Sequence, residues 1–287
     1  MHVAEHLRKK IDIKYFMAGY LACLAVVGIV RSGGEPFGVN SLWSFKVLLV
    51  IPVYVVLDLL WTYQQERLWY VPLSSVISAL ILVLVALPSL PLSLVVLLPV
   101  IAVLAKRLLR FGRRRHLFNP AVLALVAASF FASAVSWWGV AWGLSALITV
   151  SALGLFILWR QERWHVIIPF FASHFVFLSL FFLYSGIEPS RLLAFLKPQL
   201  LEGTLVFFAT VMLIEPITSN FPGRRARMIY GALVGFFAVL VGVLAGALPQ
   251  LSPLDPLLTG LLLGNFTASL LFLPRRKPQL VWQPLSA

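Results

Sequence analysis

Two short stretches, far apart in the chain, hold the polar side chains that suit cofactor or ion chemistry within an otherwise apolar sequence. The first is His116-Leu117-Phe118-Asn119-Pro120. Asn119 is a good N-cap and Pro120 an ideal first helical residue. A helix start aims free N–H groups and the positive end of its dipole at whatever precedes it. The Asn119 amide adds a donor and an acceptor, as the edge of a flavin or quinone ring requires. The second stretch is Glu215-Pro216-Ile217-Thr218-Ser219-Asn220, followed by Pro222-Gly223 and the cluster Arg224, Arg225, Arg227. Pro216 has no N–H for the carbonyl of Met212, so a helix arriving there opens beside a carboxylate. Such a carboxylate can stay protonated and pack, pair with a cation, or hydrogen-bond a cofactor. Irregular backbone within a membrane persists only where protein or a wet cavity satisfies it.

Other polar residues are scattered singly. Asp58 lies toward the end of an apolar run, within two helical turns of Arg67, and reads as a carboxylate at headgroup level or an ion-coupling group. His174 stands next to Ser173 in the middle of a run; a lone His there is more often hydrogen-bonded within a bundle than a ligand. Asn265 follows Gly260 and Gly264, a spacing that brings helices close, and is a third candidate for ion or proton coupling beside Asp58 and Glu215. Cys23, the one cysteine, excludes an internal disulfide and an all-cysteine metal site within the chain. No Walker loop, dinucleotide fingerprint, zinc motif or nucleophile elbow occurs, so nucleotide chemistry would belong to a partner.

The elements that position these groups are apolar runs. The 287 residues are 61% hydrophobic and 11% charged, against roughly 25% charged in an average soluble chain. That makes an all-α polytopic membrane protein with one integral domain. Runs long enough to cross a bilayer are expected at 15–31, 42–60, 69–87, 89–106, 119–136, 138–158, 164–184, 203–219, 226–248 and 254–273. Pro99 and Pro169 are expected to kink two of them. The net charge of +13 does not point to nucleic acid, because the basic residues sit in short blocks between the runs. With both termini cytoplasmic, 19 of the 23 Lys and Arg fall on the inner side, the asymmetry that orients membrane proteins. About ten spans divide into two inverted halves of five, 15–136 and 138–273, with broken helices near the midplane or inner face. The amphipathic stretch 185–202 is expected along the membrane interface.

Three segments taken together, HLFNPAVLAL, EPITSNFPGRRARMIYGALVGFFAVLVG and LLTGLLLGNFTASLL, resemble the D-type membrane subunit of the Rnf/Rsx electron-transport complex. The same family includes the B-type membrane subunit of the sodium-pumping NADH:quinone reductase. The order and rough spacing agree over about residues 70–273. The resemblance implies a non-covalent flavin, riboflavin or FMN, near the cytoplasmic side, in a chain of carriers coupled to Na⁺ or H⁺ movement. It implies that Asn119, His116, Glu215 and Thr218 surround that flavin, with Asp58 matching a further acidic position. Its partners would be a cytosolic flavoprotein or iron–sulfur reductase, other membrane electron-transport subunits and the bilayer of the inner cell membrane. The chain departs from the family in lacking an SGAT-type run within 185–202, so a reduced relative without covalent FMN is the expectation. The rival classes are an inverted-repeat transporter of a flavin or small anion, and a membrane anchor for a reductase.

Overall fold

A computed structural model describes residues 12–31, 48–67, 69–70, 72–110 and 115–272. Arg8, Lys9, Lys10, Lys46, Arg113, Arg114, Arg275, Arg276 and Lys277 lie outside the described residues, so much of the charge asymmetry does too. Twelve helices are described: α1 Ile13–Arg31, α2 Val50–Glu66, α3 Leu73–Val85, α4 Leu92–Leu108, α5 Pro120–Ser129, α6 Leu144–Gln161, α7 Trp164–Tyr184, α8 Leu192–Leu201, α9 Gly203–Phe207, α10 Pro216–Ser219, α11 Gly223–Ala247 and α12 Pro256–Phe272. Among the described residues the only extended pairings are two isolated bridges, Ala86 with Val135 and Arg110 with His116.

Each expected run contains a helix, but their lengths differ. Four helices, in α1, α6, α7 and α11, are long and apolar enough to cross a membrane; a fifth crossing results if the bent pair Pro189–Leu201 and Gly203–Leu213 counts as one span. The protein is therefore a helical, membrane-embedded one. The expected count of ten spans meets a physical obstacle in α3 and α5. At 1.5 Å per residue, the ten residues of α5 rise only about 15 Å, half the hydrocarbon thickness of about 30 Å. The run expected at 119–136 leaves the helix after Ser129 and turns, and residues 134–139 then take up the last carbonyls of α3. Leu87 N–H donates to Ala134 O at 2.8 Å, Ser136 N–H to Val85 O at 3.0 Å and Gly139 N–H to Leu84 O at 3.0 Å. The Trp138 indole donates to Val83 O at 2.7 Å. Both short helices are interior, with residues 78–85 of α3 buried throughout.

Around them the packing follows one scheme twice. In the first part α1 packs on α3, α2 on α3 and α4, and α4 on α5. In the second, α6 packs on α9, α7 on α11 and on the π-helical turn Phe208–Leu213 that continues α9, and α11 on α12. The two sets meet through α1 with α6 and α5 with α12. The outer faces of α6 and α7 expose Leu144, Ile148, Leu155, Ile168, Val176 and Leu180, an apolar surface suited to lipid. Pro99 and Pro169 lie inside continuous helices.

Small residues set the closest contacts. A Cβ on Gly231 of α11 would stand 2.1 Å from the Val166 carbonyl oxygen of α7, and one on Gly260 of α12 would stand 2.6 Å from Ala238 N of α11. The 260/264 pair thus works as a close-packing surface, as its spacing indicates. Gly231→Ala is expected to lower stability by about 1–3 kcal/mol through overpacking. Gly246→Ala, where a Cβ meets nothing within 4 Å, is expected to leave stability unchanged or slightly raised. Thermal unfolding of the two variants in detergent checks the contrast.

Candidate functional site

The break at Glu215 forms as Pro216 dictates. The helix α9 widens into the π-helical turn Phe208–Leu213 and stops, and Glu215 then caps the single turn α10, with Pro216 as its first residue. The carbonyls released by the break are satisfied internally. Tyr230 OH donates to Leu213 O at 3.3 Å, and Ser219 Oγ to Glu215 O at 2.8 Å. Thr218 Oγ1 donates to Glu215 Oε2 at 3.1 Å. The arginines expected in a loop after the break belong to the helix instead: α11 begins at Gly223, so Arg224, Arg225 and Arg227 occupy its first turns.

Across from this break lies the start of α5. Asn119 Oδ1 accepts from Ala121 N–H at 3.0 Å and Val122 N–H at 3.2 Å, as an N-cap should. Its amide and the Lys106 ammonium are both near enough to act on the Glu215 carboxylate. Arg115 spans the same gap, donating to Thr218 O at 2.9 Å and Asn220 O at 3.1 Å. The sequence-predicted residues Asn119, Glu215 and Thr218 are thus brought together, and much of their polar capacity is used within the chain. His116, three residues before Asn119, is buried, and its Nδ1 has no partner among the described residues. Burial, helped by the charges of Arg110, Lys106 and Arg107, pushes the His116 imidazole down to about 4, so it is neutral at ordinary pH.

Asp58 has different surroundings from those its neighbours in sequence suggest. It is fully buried, and its partners come from α4, not from Arg67. Lys106 Nζ lies 2.9 Å from Oδ2 and Arg107 Nη2 2.5 Å from Oδ1. Tyr70 and Ser75 also donate to Oδ2, each at 2.5 Å, while Arg107 adds Thr62 Oγ1. One carboxylate therefore serves two cations and two hydroxyls. The partners were legible only as basic residues in the last turn of an apolar helix, where they look like part of the loop.

Asn265 is fully buried, and neither its Oδ1 nor its Nδ2 has a partner among the described residues. His174 sits elsewhere, against a cavity of about 420 Å³ whose lining includes Trp137, Gln199, Glu202, Thr204 and Asp255. His174 Nε2 meets Gln199 Oε1 at 3.0 Å. The stretch 185–202 supplies this wall: α8 carries no buried residue and touches α7 through Phe195 and Phe182, ring centroids 5.5 Å apart. Asp255, missed in the sequence, precedes α12 as Asn119 precedes α5, with proline next in both. Its Oδ1 accepts from Leu258 N–H at 2.9 Å and its Oδ2 from the Trp137 indole at 2.7 Å.

No protein-family model matches the sequence, and no curated protein matches it. The fold and sites define a helical membrane protein with a polar junction between a helix start and a helix break, and a separate acid-lined cavity.

Breaking a buried ion pair leaves an uncompensated charge, at a cost of about 3–5 kcal/mol. Asp58→Asn is expected to lose that much stability, Asp58→Asn with Lys106→Met to recover part of it, and Arg67→Gln to be silent. Thermal unfolding of the three variants in detergent is the measurement.

Proposed function

We propose that the chain is a membrane electron-transfer subunit that holds a non-covalent flavin, riboflavin or FMN, at the junction of the α5 start and the Glu215 break. A resident flavin supplies the reversible uptake and release of electrons. The observation that carries the reading is His116 on the approach to α5: a buried, neutral imidazole whose Nδ1 has no partner among the described residues. Such a group can hydrogen-bond a ring edge, as donor or acceptor according to tautomer. Asn119 holds the helix start in place, and Thr218 and Asn119 fix the Glu215 carboxylate from two sides. The reading agrees with the resemblance of the three sequence segments to the family of Rnf/Rsx membrane subunits. Electrons would come from a cytosolic flavoprotein or iron–sulfur reductase docked on the basic inner face, and pass to other membrane subunits.

The arrangement in two inverted halves of five belongs to the same proposal. It is supported by the repeated packing scheme, and by Asn119-Pro120 and Asp255-Pro256 opening the fifth helix of each half. Coupling to Na⁺ or H⁺ would draw on Asn265, whose unpartnered buried amide suits an ion or water. Asp58 fits such a role less well, being already matched by two cations.

A second reading, a transporter of a small solute, is favoured by the cavity between α7, α8, α11 and α12. Solute uptake into vesicles in the absence of reductant separates it from electron transfer.

The purified protein is expected to carry flavin absorbance that is released on acid denaturation. His116→Leu and Asn119→Leu should each lower flavin content severalfold, while Asn119→Asp keeps the helix cap. A folded wild type with no flavin absorbance after expression in flavin-replete cells would overturn the proposal.

A further inference from the structure

The starts of α7 and α11 lie side by side. The helices run parallel, since Gly231 meets Val166 and Gly235 meets Phe170 one turn further on. Neither start has a side-chain cap or an acidic residue in its first turn. Each therefore leaves backbone N–H groups and a positive dipole end without the anionic neighbour that helix starts favour.

Two arginines close the space beside them. Arg163, at the N-cap of α7, is 8% exposed. Its Nη2 reaches Asn220 Oδ1 at 3.5 Å, and its buried Nη1 has no partner among the described residues. Arg115 reaches the backbone oxygen of the same Asn220 at 3.1 Å and lies over the Phe221 ring at 4.0 Å, and its buried Nε likewise has no partner among the described residues. Among the described residues neither arginine forms an ion pair. Burial lowers both guanidinium groups below their usual range, and Arg227 adds to this at Arg163. The Glu215 carboxylate accepts from Thr218 Oγ1. Buried cations without a counter-charge are costly, and planar guanidinium groups match phosphate oxygens well.

We propose that Arg163 and Arg115, with Asn220 and the first turns of α7 and α11, form a binding site for a phosphate-type oxyanion. Its source is either the headgroup of an anionic phospholipid or inorganic phosphate. The site adjoins the junction proposed for the flavin, through the Arg115 bond to Thr218 O, but the proposal does not depend on that reading. Arg163 supplies Nη1 and Arg115 supplies Nε, each without a partner among the described residues, while the helix starts add field and backbone N–H groups.

The test uses the full chain, purified and delipidated in detergent. Thermal unfolding is followed against inorganic phosphate, and native mass spectrometry follows retention of phosphatidylglycerol or cardiolipin over phosphatidylcholine. Wild type should be stabilised by phosphate or retain an anionic lipid. Arg163→Gln and Arg115→Gln should each weaken that binding about tenfold, as expected for loss of a charge-assisted hydrogen bond. Arg163→Lys, which keeps the charge, should fold and bind at an intermediate level, and decides the matter if Arg163→Gln does not fold. A response to phosphate alone identifies the free ion as the source; retention of anionic lipid alone identifies the headgroup. The proposal is overturned if wild type binds neither, or if the Gln and Lys variants bind as wild type does. It is also overturned if the change Arg67→Gln, at an exposed arginine outside the site, weakens binding as much as Arg163→Gln, because the attraction would then belong to the basic surface as a whole.

Discussion

A backbone that breaks inside an apolar body must find its hydrogen bonds within the protein, and this constraint organises the region around Glu215. The π-helical turn ending at Leu213 and the proline at 216 release carbonyls that lipid cannot satisfy. They are met by Tyr230 from α11, Ser219 from α10 and, one turn further, Arg115 from the approach to α5. These donors come from separate parts of the sequence, so the break ties them together. Tyr230 fixes the rotation of α11, whose glycine face then meets α7. Arg115 fixes the approach to α5, which places Asn119 against Glu215. Polar chemistry gathers at this junction because the backbone already requires polar groups there.

The same requirement acts at the other end of the molecule with different residues. The end of α3 is closed by the backbone of 134–139 and by Trp138, while Trp137 reaches across to Asp255 at the start of α12. In both places the end of a short interior helix from one part of the chain faces an Asx-Pro helix start from the other. At one place the facing pair is Glu215 and Asn119, in a strongly basic setting; at the other it is a run of apolar backbone and Asp255, beside a cavity. A common scheme thus yields two polar centres of unlike charge. Any process that runs between them would meet cations at one end and carboxylates at the other.

Much of this could be read from residue order, and the reasons for the failures are specific. Apolar runs marked the helices because an apolar segment is helical here whether it faces lipid or protein. For that same reason hydropathy could not show that α3 and α5 are short and interior: both solvents accept Leu, Val and Ala. Asn119-Pro120 was legible because capping is local, and Asp255-Pro256 carries the same signal although its role went unread. The partner of Asp58 was not legible, since Lys106 and Arg107 are remote in sequence and their position at a helix end resembles a cytoplasmic loop. The burial of Arg163 was hidden in the same way, because a count of charges by side treats buried and exposed cations alike.

That last point bears on what the net charge of +13 means. Short basic blocks between apolar runs are a pattern that orients membrane proteins whatever the residues touch. Among the described residues, Lys106, Arg107, Arg115 and Arg163 are wholly or partly withdrawn from solvent. The first two share the Asp58 carboxylate, and their field helps hold His116 neutral. The second two have backbone and amide oxygens, which offset a cation only in part. Desolvation makes each of these charges expensive, and among the described residues no carboxylate pairs with Arg115 or Arg163. The electrostatics beside those two arginines therefore favour an anionic group.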